Sequence, residues 1–200
     1  MRIITPGFEF VQKPDGEQIL RNLEYIGRVC YKSEDKITSD SAAKFVGILI
    51  KNGHESVIEH EKITVKITCD RGISHEIVRH RLASYSQEST RYCNYNKEKF
   101  GSELTFIRPD FWKDNPQKYA VWEQTMAQVE KAYLQLIETG AAPDEARAVL
   151  PNSLKTEIVM TMNLREWRHF FVLRTSPKAH PQMREITIPM LKAFQQAVPV

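Results

Sequence analysis

Apolar and polar residues alternate strictly between residues 62 and 69. Apolar side chains occupy every second position from Ile63 to Cys69, and lysines and threonines stand between them. Because successive side chains of a β-strand point to opposite faces, this period of two predicts a strand with one buried face. Residues 104–108 and 154–162 are also strand-like.

A longer period, of three to four residues, predicts the helices. In residues 16–31 it runs from Ile19 to Cys30, and Asp15 stands where a capping residue is expected. Further helices are predicted over residues 39–52, 72–81, 116–139, 143–149, 163–175 and from 181 onward, the last kinked at Pro189.

The remaining polar chain completes the predicted organisation. Residues 83–96 are rich in Ser, Tyr and Arg and predict irregular chain, whereas Asn163 and Glu166 form a capping-box-like pair at a helix start. The fold class predicted is α+β. Residues 1–200 are expected to form a single domain, with a small antiparallel or mixed sheet packed against several helices.

The composition limits the class of protein and the cellular environment that we expect. The chain is 42% hydrophobic and 26% charged, typical of an ordered globular protein, and its formal charge of +3 is too small to indicate a nucleic-acid partner. No apolar run approaches the roughly 18 residues of a membrane span, and no secretory signal is visible. Three cysteines without a CxxC pair argue against a disulfide framework. We therefore expect a cytoplasmic, reduced protein with no membrane partner.

The densest polar cluster runs from Arg79 to Tyr92. Its arginines and hydroxyls suit phosphate, because a guanidinium offers paired donors and each hydroxyl adds another. A solvated surface loop remains an alternative. Arg147 and Arg174 follow apolar neighbours, so each is expected to emerge from a buried segment beside an anionic ligand or a carboxylate. Neither a GxGxxG nor a P-loop motif occurs, so side chains would have to hold any nucleotide.

Histidines and glutamates also concentrate between residues 54 and 80. Glu76 and His80 are four residues apart and are predicted to share a helix face. A metal-dependent nucleotide hydrolase is one alternative, although the ligand spacing of HExxH is missing and no metal is expected. An RNA- or nucleotide-binding module that uses the arginines of residues 79–91 is another.

The spacing of these residues resembles the motif of a known protein family. Arg79-His80-Arg81, seven residues and then Ser89 resemble the RHR-x7-S signature of flavin-dependent thymidylate synthases. The resemblance covers about residues 20 to 195. Its other elements are Gly53-His54-Glu55-Ser56 with Glu59-His60, Arg91-Tyr92, Ala146-Arg147 with Val149-Leu150-Pro151, Asn163 to Arg174, and His180.

The resemblance implies an activity and its ligands. It implies reductive methylation of dUMP to dTMP, with methylenetetrahydrofolate as the one-carbon donor and NADPH as the hydride source through FAD. It implies a homotetramer whose active sites are built from several subunits. It also implies that no cysteine attacks the pyrimidine. Cys30 and Cys69 are expected in the core and Cys93 half-buried, which agrees.

Residue roles are implied position by position. Glu76, Ser86, Gln87 and His169 depart from the commonest family pattern. Arg174 matches the arginine that sits on the uracil and is the predicted catalytic residue. The flavin positions are His54, Ser56, Arg79, His80, Arg81, Gln87, Asn163, Arg165 and His169. The dUMP positions are Glu76, Arg79, Gln87, Ser89, Thr90, Arg91, Arg147 and Arg174.

Overall fold

The structure is a computed structural model that describes residues 1–98 and 101–199. Helices and strands both contribute extensively, which confirms the α+β class. The strands are β1 (Arg2–Ile4), β2 (Gly7–Phe10), β3 (Lys62–Asp70), β4 (Ala83–Gln87), β5 (Thr105–Ile107) and β6 (Lys155–Asn163). The α-helices are α1 (Gly16–Val29), α2 (Ser41–Lys51), α3 (Arg71–Ile77), α4 (Pro116–Glu138), α5 (Pro143–Ala146), α6 (Leu164–Arg174) and α7 (Pro181–Ala197).

The strands form two small sheets. One has four strands in the order β2-β3-β6-β4. In the other, β1 pairs in parallel with β5, with Arg2 opposite Thr105 and Ile4 opposite Ile107. The long strands β3 and β6 show the alternating burial that their sequences predict.

The prediction of irregular chain after residue 82 was wrong, because residues 83–87 form β4. Its side chains alternate between half-buried and exposed, and it lies at one end of the strand order. An edge strand needs few apolar residues, so its polar sequence carries no strand signal. Short β1 and β2 were missed because three or four residues hold too little periodicity.

Several helix boundaries follow the predicted signals. The side chains of Asp15 and Asn163 each accept a hydrogen bond from a backbone N–H in the first turn of the helix that follows. Gly53 has φ +73° just after α2, a conformation that favours glycine. Pro189 lies inside α7 rather than at its end. Among the residues described, no helix combines the length and apolar character needed to cross a bilayer.

Two sequence predictions near these helices were wrong. Helix α3 ends at Ile77, so Glu76 and His80 do not share a helix face. The chain leaves the helix after Ile77, and the ring of His80 is buried against that of Phe170 instead. Cys30 is exposed rather than in the core, because α1 ends at Val29 and Cys30 is its capping residue.

Backbone contacts divide the chain into two compact units. The first unit comprises Met1–Gly7, Ile67–Arg79 and Tyr85–Val159. Its core forms around α4, where Trp122, Met126 and Tyr133 are buried with Phe106 and Leu154. The indole Nε1 of Trp122 donates to Ser153 Oγ at 3.1 Å, so its one polar atom is satisfied.

The second unit comprises Phe8–Lys66, His80–Ser84 and Met160–Val200. In it, α1 packs on α2 through residues such as Leu23, Val46 and Leu49. Helix α6 contributes Trp167, whose ring contacts those of Phe170 and Phe171 and whose Nε1 donates to the Ile63 carbonyl at 3.0 Å. This aromatic packing fixes α6, which carries several of the predicted site residues.

Candidate functional site

The RHR motif consists of a buried histidine between two exposed arginines. Arg79 belongs to the first unit, and His80 and Arg81 belong to the second. Both arginine side chains are exposed. His80 is only 8% exposed, and its ring packs on Phe170 with the centroids 4.9 Å apart. The middle residue of the motif therefore has a structural environment unlike that of its neighbours.

His80 contacts the predicted catalytic arginine directly. Arg174 Nε donates to His80 Nε2 at 3.0 Å. Burial, together with the smaller effects of the charges of Arg174 and His169, lowers the pKa of His80 from 6.5 to about 4. The imidazole is therefore neutral at pH 7. Because Nε2 accepts this hydrogen bond, the ring proton lies on Nδ1.

Arg174 is half-buried at the last position of α6. The sequence predicted an anion or a carboxylate beside it, and the structure places the neutral imidazole of His80 in contact with its guanidinium. A neutral acceptor orients the guanidinium without cancelling its charge. The carbonyl of Arg174 also accepts from Thr187 Oγ1 of α7 at 2.8 Å, so its backbone is held as well.

The first two turns of α6 carry arginines with a different environment. Arg165 Nη1 lies 2.5 Å from Glu59 Oε1, and its Nε lies 3.5 Å from Glu55 Oε2. Arg168 lies 3.4 Å from the other oxygen of Glu55. The hydrogen bond to Glu59 raises the pKa of Arg165 above its usual value. Both cations are thus paired with carboxylates.

Five of the predicted flavin positions line two adjoining pockets of the second unit, which share Glu55 and Arg165. One pocket of ≈ 420 Å³ includes Gly53, His54, Ser56 and Arg165 in its wall. The other, of ≈ 620 Å³, is lined by Glu55, Glu59, Leu82, Asn163, Arg165, Glu166, Arg168, His169 and Val172. Leu82 and Val172 are 71% and 72% exposed, so this second pocket offers apolar surface beside its charges.

Gln87 holds the end of β4 within the first unit. Its Nε2 donates to Ser74 Oγ at 2.9 Å and to Thr156 Oγ1 at 3.2 Å. Thr156 and Ser74 are fully buried, so the amide is fixed from the buried side of the strand. Glu76, another predicted nucleotide position of this unit, is half-buried on α3.

The loop after β4 presents the predicted phosphate contacts. Ser89 is half-buried, Thr90 is buried and Arg91 is exposed. Arg91 Nε lies 3.9 Å from Asp144, and its guanidinium lies over the Tyr92 ring at 5.4 Å. Ser89 Oγ accepts from the Arg91 backbone N–H at 3.2 Å, and the Ser89 carbonyl accepts from the N–H groups of two later residues.

Arg147 is a further predicted nucleotide position. It is exposed at the start of a 3-10 turn that follows α5, although Ala146 before it is fully buried. The arginine thus emerges from a segment whose apolar residues Ala146, Val149 and Leu150 are buried or half-buried, as the sequence predicted, while its own side chain points to solvent. Arg147 remains available to an anion from solvent.

Sequence reasoning missed a second ionic contact in the first unit. Glu88 accepts from Lys155 Nζ at 2.9 Å and from Tyr95 Oη at 2.9 Å. Lys155 also lies 3.1 Å from Glu157, two residues along β6 on the same face. The only sequence signal was the pair of opposite charges at alternate positions of a strand.

The described residues contain no group of three or more His, Cys, Asp or Glu side chains that could hold a metal ion. The histidine and glutamate cluster of the sequence is instead distributed. Glu55 and Glu59 pair with arginines, and His80 pairs with Arg174.

Comparison with known proteins identifies relatives over most of the chain. The model of the family described as "Thymidylate synthase complementing protein" matches residues 14–200. A protein named flavin-dependent thymidylate synthase from Pyrococcus furiosus is 37% identical over 171 residues, which is 85% of this chain and 69% of that protein. The protein of the same name from Pyrococcus abyssi is 38% identical over 80% of this chain and 66% of its own length.

A third relative comes from a different genus. The flavin-dependent thymidylate synthase of Geobacter sulfurreducens is 34% identical over 86% of this chain and 75% of its own length. The chain thus spans about two thirds to three quarters of these relatives, and the match includes the RHR-x7-S segment. This confirms the resemblance seen in the sequence. The chain belongs to the thymidylate synthase complementing protein family, whose relatives compared here are named flavin-dependent thymidylate synthases.

Proposed function

We propose that this protein converts dUMP to dTMP by reductive methylation, with methylenetetrahydrofolate as the one-carbon donor and NADPH as the source of hydride through FAD. Family membership and the names of the relatives support the activity. Within the structure, the observation that carries the proposal is the hydrogen bond between Arg174 and the neutral His80 of the RHR motif. It holds a cationic guanidinium in a fixed orientation.

The pockets of the second unit fit the ring system of a flavin. A flat heterocycle needs apolar faces and a few polar groups at its edge. The ≈ 620 Å³ pocket offers exposed Leu82 and Val172 for the first requirement. For the second, the Asn163 side-chain oxygen caps α6, which directs its NH2 group to other acceptors. His169 is exposed in the same wall.

The same pocket suits a neutral ring better than a diphosphate. Three carboxylates, from Glu55, Glu59 and Glu166, line it together with only two guanidinium groups. We therefore assign the anionic part of FAD to exposed arginines such as Arg79 and Arg81. The residues proposed to hold FAD are His54, Ser56, Arg79, His80, Arg81, Gln87, Asn163, Arg165 and His169.

When bound, FAD supplies the hydride chemistry that no amino-acid side chain can perform. The protein's own groups bind, orient and stabilise charge. Ser89, Thr90, Arg91 and Arg147 are proposed to hold the phosphate of dUMP, since hydroxyls and guanidiniums are strong donors to phosphate oxygens. Glu76, Arg79 and Gln87 are proposed as further dUMP contacts.

Arg174 is proposed as the catalytic residue. A guanidinium on the pyrimidine stabilises negative charge on the ring as C5 becomes nucleophilic, and a preorganised donor does this without rearranging. His80 acts through Arg174 as a positioning residue. In this scheme His80 must stay neutral, because an imidazolium could not accept the Arg174 hydrogen bond.

The cysteines support a mechanism without a thiolate nucleophile. Burial raises the pKa of the Cys69 thiol, which disfavours its thiolate. Cys30 is exposed and lies at the end of α1, whereas Cys93 is half-buried. None of them belongs to the residues proposed to bind the nucleotide.

We further propose that the protein forms one domain that assembles as a homotetramer and works in the cytoplasm. Val11, Ile48 and Leu173 are exposed apolar side chains of the second unit, and subunit contacts would remove them from water. Light scattering after size exclusion should give four times the 23.2 kDa mass of the chain. A monomeric mass would contradict the tetramer.

The flavin absorbance of the purified protein and the formation of dTMP together test the proposed function. The purified protein should carry a flavin absorbance band at about 450 nm. With NADPH and methylenetetrahydrofolate it should form dTMP from dUMP, and cysteine substitutions should not abolish this. A colourless protein that releases phosphate from dUMP in a chelator-sensitive reaction would overturn the proposal. So would salt-sensitive RNA binding without dTMP formation.

A further inference from the structure

The loop that carries the proposed phosphate contacts is closed by a charged side-chain cluster. We propose that Glu88, Lys155 and Tyr95 form a clamp that positions Ser89, Thr90 and Arg91 for nucleotide binding. This inference rests on the proposed function and adds three positioning residues to it. All six residues lie in the first unit.

The clamp begins at the strand end. Gln87 is the last residue of β4, and Glu88 follows it directly. Gln87 bonds to buried Thr156, and Glu88 bonds to Lys155, the neighbour of Thr156 on β6. The backbone N–H of Glu88 also donates to the Glu157 carbonyl at 2.9 Å. The residue immediately before Ser89 is thus held to β6 by backbone and side chain.

The clamp closes on the far side of the loop. Tyr95 is 6% exposed, and its Oη donates to Glu88 Oε1 across the intervening residues 89–94. The ring of Tyr95 packs near that of Tyr133 of α4, with centroids 5.8 Å apart. One end of the loop is therefore fixed to the sheet and the other to the helical core, with the Glu88 carboxylate between them.

The charges make this contact stronger than a surface ion pair. The side chains of Glu88 and Lys155 are 12% and 20% exposed, so water screens them less than it screens an exposed pair. Burial works to lower the pKa of Lys155, but the hydrogen bonds and charges of Glu88 and Glu157 raise it overall, which keeps Lys155 cationic. Burial and the charge of Glu88 likewise raise the pKa of Tyr95, which keeps its hydroxyl a donor.

The loop geometry between the anchors depends on Ser89. The Ser89 carbonyl accepts from the N–H groups of Tyr92 and Cys93, at 3.3 Å and 3.0 Å. If the contacts of the clamp are broken, the Ser89 carbonyl is no longer held in position to accept these two hydrogen bonds. Glu88, Lys155 and Tyr95 are not among the proposed ligand contacts. They nevertheless hold in place the loop that carries Ser89, Thr90 and Arg91.

Amide hydrogen exchange tests the clamp in the free protein. In Glu88→Gln and Tyr95→Phe, which keep side-chain shape, the N–H groups of Tyr92 and Cys93 should exchange on the order of ten times faster. Amides of α4 should be accelerated much less, since a general loss of stability would accelerate all these amides alike. Lys131→Met, at an exposed position of α4, is the matched control for Lys155→Met. Unchanged exchange at Tyr92 and Cys93 would overturn the clamp.

Kinetics test what the clamp positions. Glu88→Gln and Lys155→Met should each raise KM for dUMP about tenfold while kcat stays within about twofold, since the chemistry lies elsewhere. Their effects should be non-additive in the double variant, because either change breaks the same contact. A fall in kcat with unchanged KM, or additive effects, would overturn the positioning role. A wild-type protein that neither binds dUMP nor forms dTMP refutes the proposed function, while the exchange experiment still decides the clamp.

Discussion

The two ends of α6 place arginines beside different kinds of partner. In the first two turns, Arg165 and Arg168 face the carboxylates of Glu55 and Glu59. At the last position, Arg174 donates to the neutral imidazole of His80. Carboxylates neighbour the first two cations, whereas a neutral ring nitrogen accepts from Arg174.

The difference shows that a count of arginines says little about anion binding. A carboxylate partner lowers the attraction that a guanidinium exerts on a further anion, whereas a neutral acceptor only fixes its direction. The paired end of α6 is suited to shape a pocket wall. The oriented guanidinium at the other end is suited to stabilise negative charge that develops during a reaction.

The largest effect is expected from Arg174→Ala. Because a preorganised donor contributes on the order of 10²–10³ in rate, dTMP formation should fall by that factor while the flavin band persists. Arg174→Lys should recover only part of the rate, since lysine keeps the charge but lacks the planar fork of donors. Steady-state rates and absorbance spectra measure both. Near-normal turnover of Arg174→Ala would refute the assigned role.

A smaller effect is expected from Arg165→Ala at the opposite end. Flavin affinity should weaken about tenfold, roughly the contribution of a hydrogen bond to a charged group, because Glu55 and Glu59 already offset the charge. Fluorescence titration of the protein freed of flavin measures this. The double change Arg165→Ala with Glu59→Gln should recover part of the loss, because it also removes a carboxylate left facing the pocket. A loss of turnover as large as that of Arg174→Ala would erase the distinction between the two ends.

The pH dependence of stability tests the neutral partner of Arg174. The pKa of His80 is lowered from 6.5 to about 4, so below pH 6.5 the unfolded chain binds a proton that the folded protein does not. The free energy of unfolding should therefore fall between pH 6.5 and about 4, and His80 should add no pH dependence above that window. His80→Gln keeps an acceptor but cannot titrate.

Thermal unfolding at pH 7.5 and pH 5 compares the two proteins. The decrease in Tm on acidification should be smaller in His80→Gln than in the wild type. His54→Gln is the matched control, because His54 is exposed. An equal decrease in all three proteins would show that His80 is not held neutral by the fold.

The smallest effect is expected from Glu59→Gln. Arg165 and Glu59 are 48% and 42% exposed, and exposed ion pairs contribute little to folding. The Tm should therefore change by no more than about 2 °C, while Glu88→Gln in the less exposed cluster should lower it further. Differential scanning calorimetry of the two variants decides this. A larger decrease for Glu59→Gln would reverse the order.

Much of the fold could be predicted because its signals are local. Strands β3 and β6 alternate over nine residues each, and Asp15 and Asn163 act as caps through bonds three residues away. Strand β4 could not be predicted, since its polar side chains carry no pattern and its pairing depends on a distant strand. Local periodicity therefore predicts strands with one buried face, but it does not predict a polar edge strand such as β4.

The contacts of the site were harder to predict than its residues. The RHR-x7-S spacing identified His80 and Ser89, and the flavin and nucleotide roles of individual residues stay predictions. His80 and Arg174 are 94 residues apart in sequence, and Glu88 and Lys155 are 67 apart. Such partners are determined by tertiary packing, which one sequence does not encode in any local pattern.

The exposed position of Cys30 has a practical consequence. This thiol lines the ≈ 420 Å³ pocket with His54 and Ser56, whereas Cys69 is buried and Cys93 half-buried. A thiol-reactive fluorophore would therefore attach first at the rim of this pocket. The native chain thus provides an attachment point for a reporter of pocket occupancy, and for covalent fragments that grow into it.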